Sequence, residues 1–439
     1  MTKVKCLVVG GGPSGLALAY GLKGDTLVLE KEATVGGLCR SIYHRGGVFD
    51  IGGHSFHTPH PKVFDLVNGL LEGGLYMQER DARIYTHGTL IPYPFQKNFD
   101  RIPNPEVVAT CERGLRGVNS RALTAETFES FILQKFGQGI ADHFMLPYNR
   151  KLWARDLQKI SCEWTSERVA APRGVAEWFD FAGDTRKPLQ ADTWVGYPKE
   201  GGYARIYESF VPLIPGLEVN SNVCYIDPKA RIATTASGEK FRWRSLVSTI
   251  PLPILVRIVG GTPRVVVEAA DRLVYLSLRV ELLLVGRKLD TSIQRIYSAD
   301  PAIPPHKIAL NHNSSPYLRE QPCHAIMAEV SISPDKPVDV DSIADKTIAV
   351  LCDLNILSSA EDIIWRGHQD VEYAYPVYTS ERPQLVKTIK DWMRQYDIYT
   401  LGRFGDWEYI NSDACVLKGL NLAAHLRDRM RGELKSRIT

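Results

Sequence analysis

Near the start of the chain Gly10-Gly11-Gly12-Pro13-Ser14-Gly15 has the spacing G-x-G-x-x-G, between an apolar run, Val4 to Val9, and a helix-like segment, Ser14 to Lys23. Each glycine has a separate physical task. Gly10 permits the tight turn, Gly12 lets backbone approach a pyrophosphate at the helix N-terminus, and Gly15 allows close helix–strand packing. A second apolar run, Thr26 to Glu30, ends on an acid twenty residues after Gly10. An acid there accepts hydrogen bonds from an adenosine ribose. Strand, glycine turn, helix, strand and acid in this order predict a dinucleotide site.

NAD and FAD share that fingerprint, so the choice rests on the residues beyond it. Glu30-Lys31-Glu32-Ala33-Thr34-Val35-Gly36-Gly37-Leu38-Cys39-Arg40 resembles the second glycine motif of FAD enzymes related to amine oxidases. It fits a loop whose amides and Arg40 reach the diphosphate and flavin end. Gly402-Arg403-Phe404-Gly405, followed by a helix-like segment, fits the last flavin contact of such enzymes. No second glycine fingerprint is present for NAD(P)H. If NAD(P)H rather than another reductant is used, it must dock without a Rossmann domain of its own.

Further motifs narrow the resemblance. Phe49-Asp50-Ile51-Gly52-Gly53-His54 resembles the loop beside the flavin in UDP-galactopyranose mutases. Pro92-Tyr93-Pro94-Phe95-Gln96, Pro147 to Trp153, Glu167-Arg168-Val169-Ala170-Ala171-Pro172 and Gly402 to Tyr409 follow in that family's order. The likeness is greater to the eukaryotic-type branch than to the shorter bacterial one, and it runs from about residue 4 to 425. It implies an isomerase that interconverts pyranose and furanose forms of a nucleotide-diphosphate sugar, UDP-galactose or a related UDP- or dTDP-sugar. The mechanism it implies is a covalent adduct between N5 of reduced FAD and sugar C1. It also implies cofactor contacts at Gly10, Gly12, Ser14, Gly15, Glu30, Lys31, Gly37, Leu38, Arg40, Gly53, His54, Val223, Arg403, Ser412, Asp413 and Ala414.

The candidate substrate residues also have a physical reading. A diphosphate carries two negative charges that grow as it leaves. Arg168 is the first choice to hold it, because a guanidinium contacts phosphate in bidentate fashion. Lys307 is the second cation; the family pattern has arginine at the aligned position, and lysine keeps the charge without the fork. Tyr93, Phe95 and Trp153 offer flat surface for a base and sugar, although Phe95 and Trp153 also suit a core. Gln96 can read a pyrimidine edge with one donor and one acceptor. Tyr297 and Tyr409 resemble tyrosines that close over the diphosphate. Asn149 and Asn411 would bind sugar or phosphate oxygens. The catalytic candidates are thus His54, Arg168 and Lys307. The competing reading from the same fingerprint is an FAD-dependent oxidoreductase of the amine oxidase or desaturase type; a flavoprotein that binds without catalysis is a second.

These residues need elements to hold them. The βαβ start predicts a parallel sheet. Pro61 to Leu71 reads as a helix, and Arg83 to Tyr85 with Thr89 to Ile91 as a hairpin around His87-Gly88. Residues from about 105 to 183 are helix-patterned, Tyr203 to Val211 is helix-like, and short strands follow up to Thr249. Leu273 to Val285, Ser292 to Tyr297, Lys307 to Asn311 and Ala325 to Ile332 read as strands of a second sheet. Val340 to Leu357, Arg382 to Tyr396 and Leu417 to Met430 read as helices. The predicted class is α/β: a Rossmann-like FAD-binding domain (GR2-type) with an inserted helical domain and a second, antiparallel-rich sheet domain. The expected division is 1–75, 195–265 and 400–439 for the FAD domain, 100–194 for the helical substrate domain, and 76–99 with 266–399 for the antiparallel sheet.

Composition sets the outer bounds. Over 439 residues, 53 Lys and Arg against 50 Asp and Glu leave a net charge of +3, too even for a nucleic-acid-binding surface. The most apolar run, Leu273 to Val285, is interrupted by Arg279 and Glu281, so no membrane span is expected. The eight cysteines are scattered without a CxxC pair, which fits a reducing compartment. The first strand-like run begins at Val4 and leaves no room for a signal peptide. A cytoplasmic protein is expected, with a homo-oligomer compatible. His54, His57 and His60 are spaced by three, but Pro59 and Pro61 break a helix there, and no metal is expected.

Overall fold

The apolar run at the start forms the strand Thr2–Val9 of a computed structural model that describes residues 1–118, 125–165, 169 and 194–435, without the side chains of Asp25 and 430–435. This strand pairs in parallel with Thr26–Leu29 on one side and with Lys240–Ser248 on the other. The first sheet runs in the order Val223–Asp227, Ile232–Thr235, Lys240–Ser248, Thr2–Val9, Thr26–Leu29, Leu217–Glu218, and Ile398–Thr400 joins Lys240–Ser248 in parallel. Alternation along the strands divides their side chains between two layers. Cys6, Val8 and Val28 meet the helices Pro13–Leu22 and Ser412–Lys435. Leu7, Val9, Leu27 and Leu29 meet Leu252–Ile258, Arg264–Asp271 and Arg382–Arg394. Residues 382–399, grouped from sequence with the second sheet, thus pack on the first.

The second sheet has the order Ile363–Pro376, Tyr275–Val285, His324–Ile332, Lys307–Leu310, Arg295–Ser298, Ala82–Thr86, Thr89–Pro92. Every pairing in it is antiparallel except that of Arg295–Ser298 with Ala82–Thr86. One face packs on helix Ile343–Asp353 through Leu283, Ile308, Ile326 and Ile348. The other meets the aromatic core formed with helices Pro105–Arg116, Phe128–Ile140 and Leu146–Trp153. Gly137 (φ 69°) interrupts the middle helix, and a Cβ there would lie 2.3 Å from the carbonyl oxygen of Gly114. A π-helical turn, Ala141–Met145, comes next, and together they aim Leu146–Trp153 at the sheet.

Three expected elements change. The helix expected at Tyr203 to Val211 is only a turn of helix, Arg205–Glu208, then a 3₁₀ turn, Val211–Leu213, because Pro212 cannot continue the ladder. The helix expected from Val340 to Leu357 is confined to Ile343–Asp353, and the last helix starts nearer the N-terminus than expected, at Ser412. Strand Ile363–Pro376 escaped the sequence reading. It is an edge strand, and its alternating half-buried and exposed residues look polar in sequence.

Candidate active site

The glycine turn lies at the C-terminal ends of the parallel strands, where ligands of open α/β sheets bind. A Cβ on Gly10 would lie 2.3 Å from Thr249 Oγ1, and one on Gly15 would lie 2.1 Å from the carbonyl oxygen of Gly10. Gly12 differs: a Cβ there would meet only Gly37 Cα, 4.0 Å away. The second glycine loop folds onto the first, with Gly36 N–H donating to the Gly11 carbonyl at 2.8 Å. The two loops therefore leave a gap of backbone amides around Gly12 and Gly37, above the start of helix Pro13–Leu22. That is the shape a pyrophosphate requires. Arg40 borders it, tied to Glu32 at 3.2 Å and to the Gly37 carbonyl at 3.0 Å, and Leu38 packs on the aromatic core.

Glu30 marks one end of this cleft. Its carboxylate is buried and accepts Gly11 N–H at 2.7 Å and Glu32 N–H at 2.9 Å, which leaves a further lone pair on each oxygen. The Glu30 carbonyl accepts Ser221 N–H at 2.7 Å, which brings the start of the Val223 strand to this end. The buried Ser221 hydroxyl has no partner among the described residues. Lys31 points outward beside Glu32.

The cleft continues along the last helix. Ser14 Oγ donates to the Cys415 carbonyl at 3.1 Å, and Gly402 (φ 85°) presses on Ser14, where a Cβ would lie 2.4 Å from Oγ. Buried Asp406 fixes this turn by accepting from Gly402 N–H, Thr400, Lys390 and Lys418. Arg403 is thereby brought over the rings of Tyr375 (4.7 Å) and Tyr409 (5.1 Å), with its buried Nε unpartnered among the described residues. Ser412, Asp413 and Ala414 form the first turn of the last helix. Ser412 Oγ lies 3.0 Å from Tyr203 Oη, and the Tyr203 ring stacks on His54 at 4.8 Å with 9° between planes. Asn411 precedes that helix, its carbonyl accepting Cys415 N–H.

The turn Gly52-Gly53-His54 lies against one face of the second sheet. Register puts Arg295, Tyr297, Lys307, Ala309 and Glu329 on that face, with Tyr297 opposite Lys307 and Lys307 opposite Glu329. Glu329 is buried; its Oε1 accepts Gly53 N–H at 2.6 Å and pairs with Lys307 Nζ at 2.7 Å. Burial first, then Lys307, Arg295 and Arg403, lowers the His54 pKa to about 3, so its imidazole is neutral at physiological pH. Among the described residues its buried Nδ1 makes no hydrogen bond of normal geometry. Asp50, pushed up to about 6 by burial, is occupied by Ser41, Tyr197 and the Tyr203 amide.

The substrate candidates divide into two groups. Tyr93 and Tyr297 touch at 5.1 Å between ring centres, Tyr148 meets Tyr297 edge-on, and Tyr375 meets Tyr409 at 5.6 Å. Burial raises the phenol pKa of Tyr93, Tyr148 and Tyr375, so they remain proton donors. The cis peptide bond before Pro94 turns the chain directly after Tyr93. Phe95 and Trp153, by contrast, sit inside the core: Phe95 stacks on Phe144 at 4.8 Å, and Trp153 lies beneath Tyr409 at 5.4 Å. Gln96 is buried beside Phe95, and Asn149 spends its amide N–H on the Met145 carbonyl at 2.7 Å. Arg168 lies outside the described residues. Sequence reading missed Glu329, Arg295 and Tyr203. Glu329 and Arg295 each carried a signal, since a lone charge within an apolar strand is rarely buried without a task.

Residues 8–70 match the family model described as an NAD(P)-binding Rossmann-like domain. Fold and dinucleotide cleft together define the class by architecture: a Rossmann-like domain with mixed α/β sheets, a fold that UDP-galactopyranose mutase and amine-oxidase structures share. Within it the chain shares its whole fold with UDP-galactopyranose mutase: the reduced form of that enzyme aligns with a TM-score of 0.87 at 28% identity, over 97% of this chain and 96% of that chain. A wild-type putrescine oxidase bound to putrescine aligns with a TM-score of 0.68 at 15% identity, over 97% and 99% of the two chains. At that identity only the fold is shared. Protoporphyrinogen oxidase 2 of Arabidopsis thaliana is 28% identical over 171 residues, 35% of this chain and 33% of that protein. The match thus spans about a third of that curated relative's length.

Proposed function

We propose that the chain binds FAD along the cleft from Glu30 to His54 and, with the flavin reduced, interconverts pyranose and furanose forms of a UDP- or dTDP-sugar. The observation that carries this reading is the set of cations facing the Gly52–His54 turn. Lys307, Arg295 and Arg403 all bear on His54, and only Lys307 has a carboxylate within salt-bridge distance among the described residues. Such a site favours an anion and repels an amine, which argues against an amine-oxidising use of the fold. Tyrosines around it suit the oxygens of a diphosphate and a sugar.

The cleft fits the cofactor: an amide-lined gap at Gly12, the Glu30 acid, and buried atoms of Ser221, His54 and Arg403 that are unpartnered among the described residues. When bound, reduced flavin supplies a nucleophilic nitrogen able to displace the nucleotide diphosphate from the anomeric carbon. The chain's residues do the rest. Arg403 and Lys307, and in the proposed role Arg168, stabilise the charge on the departing diphosphate. Tyr93, Tyr297 and Tyr409 hold its oxygens and exclude water, and neutral His54 presents Nδ1 to the ligand. All eight cysteines are free, which suits work in the cytoplasm.

The test is anaerobic incubation of the protein, oxidised or dithionite-reduced, with a panel of UDP- and dTDP-sugars and separation of ring isomers. Isomerisation by the reduced form alone is expected. Equal activity in both states, or oxygen-consuming oxidation of a substrate, overturns the reading.

A further inference from the structure

The cation that no motif marks is Arg295. It is 6% exposed and packs beneath the Gly52–His54 turn, where a Cβ on Gly53 would lie 3.2 Å from its Nε. Among the described residues its guanidinium makes a single long hydrogen bond, Nη1 to Ser55 Oγ at 3.3 Å, although it has five N–H groups to satisfy. No carboxylate among the described residues lies within salt-bridge distance of it. Burying a charge this way is costly unless an anion arrives to compensate it. The neighbouring cations have other work: Lys307 is tied to Glu329, and Arg403 lies over Tyr375 and Tyr409. The field of Arg295 reaches His54 and Asp50, and the buried Glu329 carboxylate acts on it from beyond salt-bridge distance.

We propose that Arg295 is a positioning residue whose charge, unpaired by any salt bridge among the described residues, favours the reduced, anionic state of the flavin beside the Gly52–His54 turn. This rests on the cofactor part of the proposed function. Oxidised isoalloxazine is neutral, whereas two electrons and one proton convert it to an anion at neutral pH. A fixed cation nearby stabilises the second state and leaves the first unaffected. A catalyst that works only when reduced gains from that bias between turnovers.

The experiment measures the midpoint potential of the bound flavin by anaerobic dithionite titration against a reference dye. Wild type, Arg295→Met, Arg295→Lys and Ser55→Ala are compared. Arg295→Met should lose at least tenfold in its preference for reduced over oxidised flavin, which at about 30 mV per tenfold for two electrons lowers the potential by about 30 mV. Arg295→Lys should recover most of that loss, and Ser55→Ala should leave the potential unchanged. An Arg295→Met potential equal to wild type overturns the proposal. Should that variant not fold, Arg295→Gln keeps a hydrogen bond to Ser55, drops the charge and decides in the same way. Wild-type protein without flavin overturns the cofactor reading and this proposal with it. Flavin-loaded protein that isomerises no sugar overturns only the mutase reading, and the potentials still decide the role of Arg295.

Discussion

Lys307 Nζ lies 2.7 Å from Glu329 Oε1, the same oxygen that accepts the Gly53 amide at 2.6 Å. One buried carboxylate thus joins a candidate substrate cation to the turn beside the cofactor cleft. Glu329→Gln removes the countercharge and keeps the shape. It should cost about 3 kcal/mol, the low end for breaking a buried pair, because Lys307 keeps some exposure. UDP should bind more tightly, since the ammonium is no longer neutralised. Thermal unfolding and calorimetric titration with UDP read the two effects. Unchanged stability together with unchanged UDP affinity would show that the pair does neither job.

The Gly402 turn offers a second test. Its φ of 85° and the 2.4 Å that would separate an added Cβ from Ser14 Oγ both exclude a side chain. Gly402→Ala should cost about 1–2 kcal/mol from the backbone alone, and it should push Arg403 away from Tyr375 and Tyr409. Melting temperature and the flavin content of purified protein measure this. A variant with wild-type melting and full flavin content would remove the turn from the cofactor site.

How much of this was legible in the sequence depended on whether a residue's task was local. Gly10, Gly12, Gly15 and Glu30 could be placed because a βαβ unit fixes their relations within thirty residues of chain. Arg295 and Glu329 could not. They meet Gly53 only because strands far apart in sequence share a register, and one residue of slip would turn both to the other face. Tyr203 was hidden for a similar reason, since its stack on His54 joins two loops. Phe95 and Trp153 were ambiguous because large aromatic residues suit a core as readily as a ligand surface.

The buried titrating groups predict an acid dependence of stability. Folding lowers His54 from 6.5 to about 3, so the unfolded chain binds more protons between those values. Its contribution is complete above pH 6.5 and is lost as pH falls toward 3, with a limiting slope of about 1.4 kcal/mol per pH unit. His312, lowered to about 3 by burial, acts in the same direction. Asp50 opposes them. Raised from 3.8 to about 6, its contribution is complete below 3.8 and lost as pH rises through 6. Urea unfolding at pH 4, 5, 6 and 7 should therefore show stability rising with pH, less steeply in His54→Gln and more steeply in Asp50→Asn. A slope unchanged in both variants would contradict the assignment.

Lys151 supplies the last prediction. Its buried Nζ donates to the carbonyls of Ser298 (2.8 Å), Asp300 (2.9 Å) and Ile303 (2.6 Å). It thereby fastens helix Leu146–Trp153, which carries Asn149 and Trp153, to the loop joining Tyr297 and Lys307. Lys151→Met preserves the stem and leaves three carbonyls without that donor, at about 1–3 kcal/mol for each one that water cannot reach. The variant should unfold about 2 kcal/mol more easily, allowing about 1 kcal/mol for each of the buried carbonyls of Ser298 and Ile303. It should also raise KM for the nucleotide sugar more than it lowers kcat, because the loop orients binding groups at a distance from the reacting carbon. Urea unfolding gives the first quantity and steady-state kinetics of the reduced enzyme the second. A fall in kcat at constant KM would mean that the clip acts on the chemical step instead.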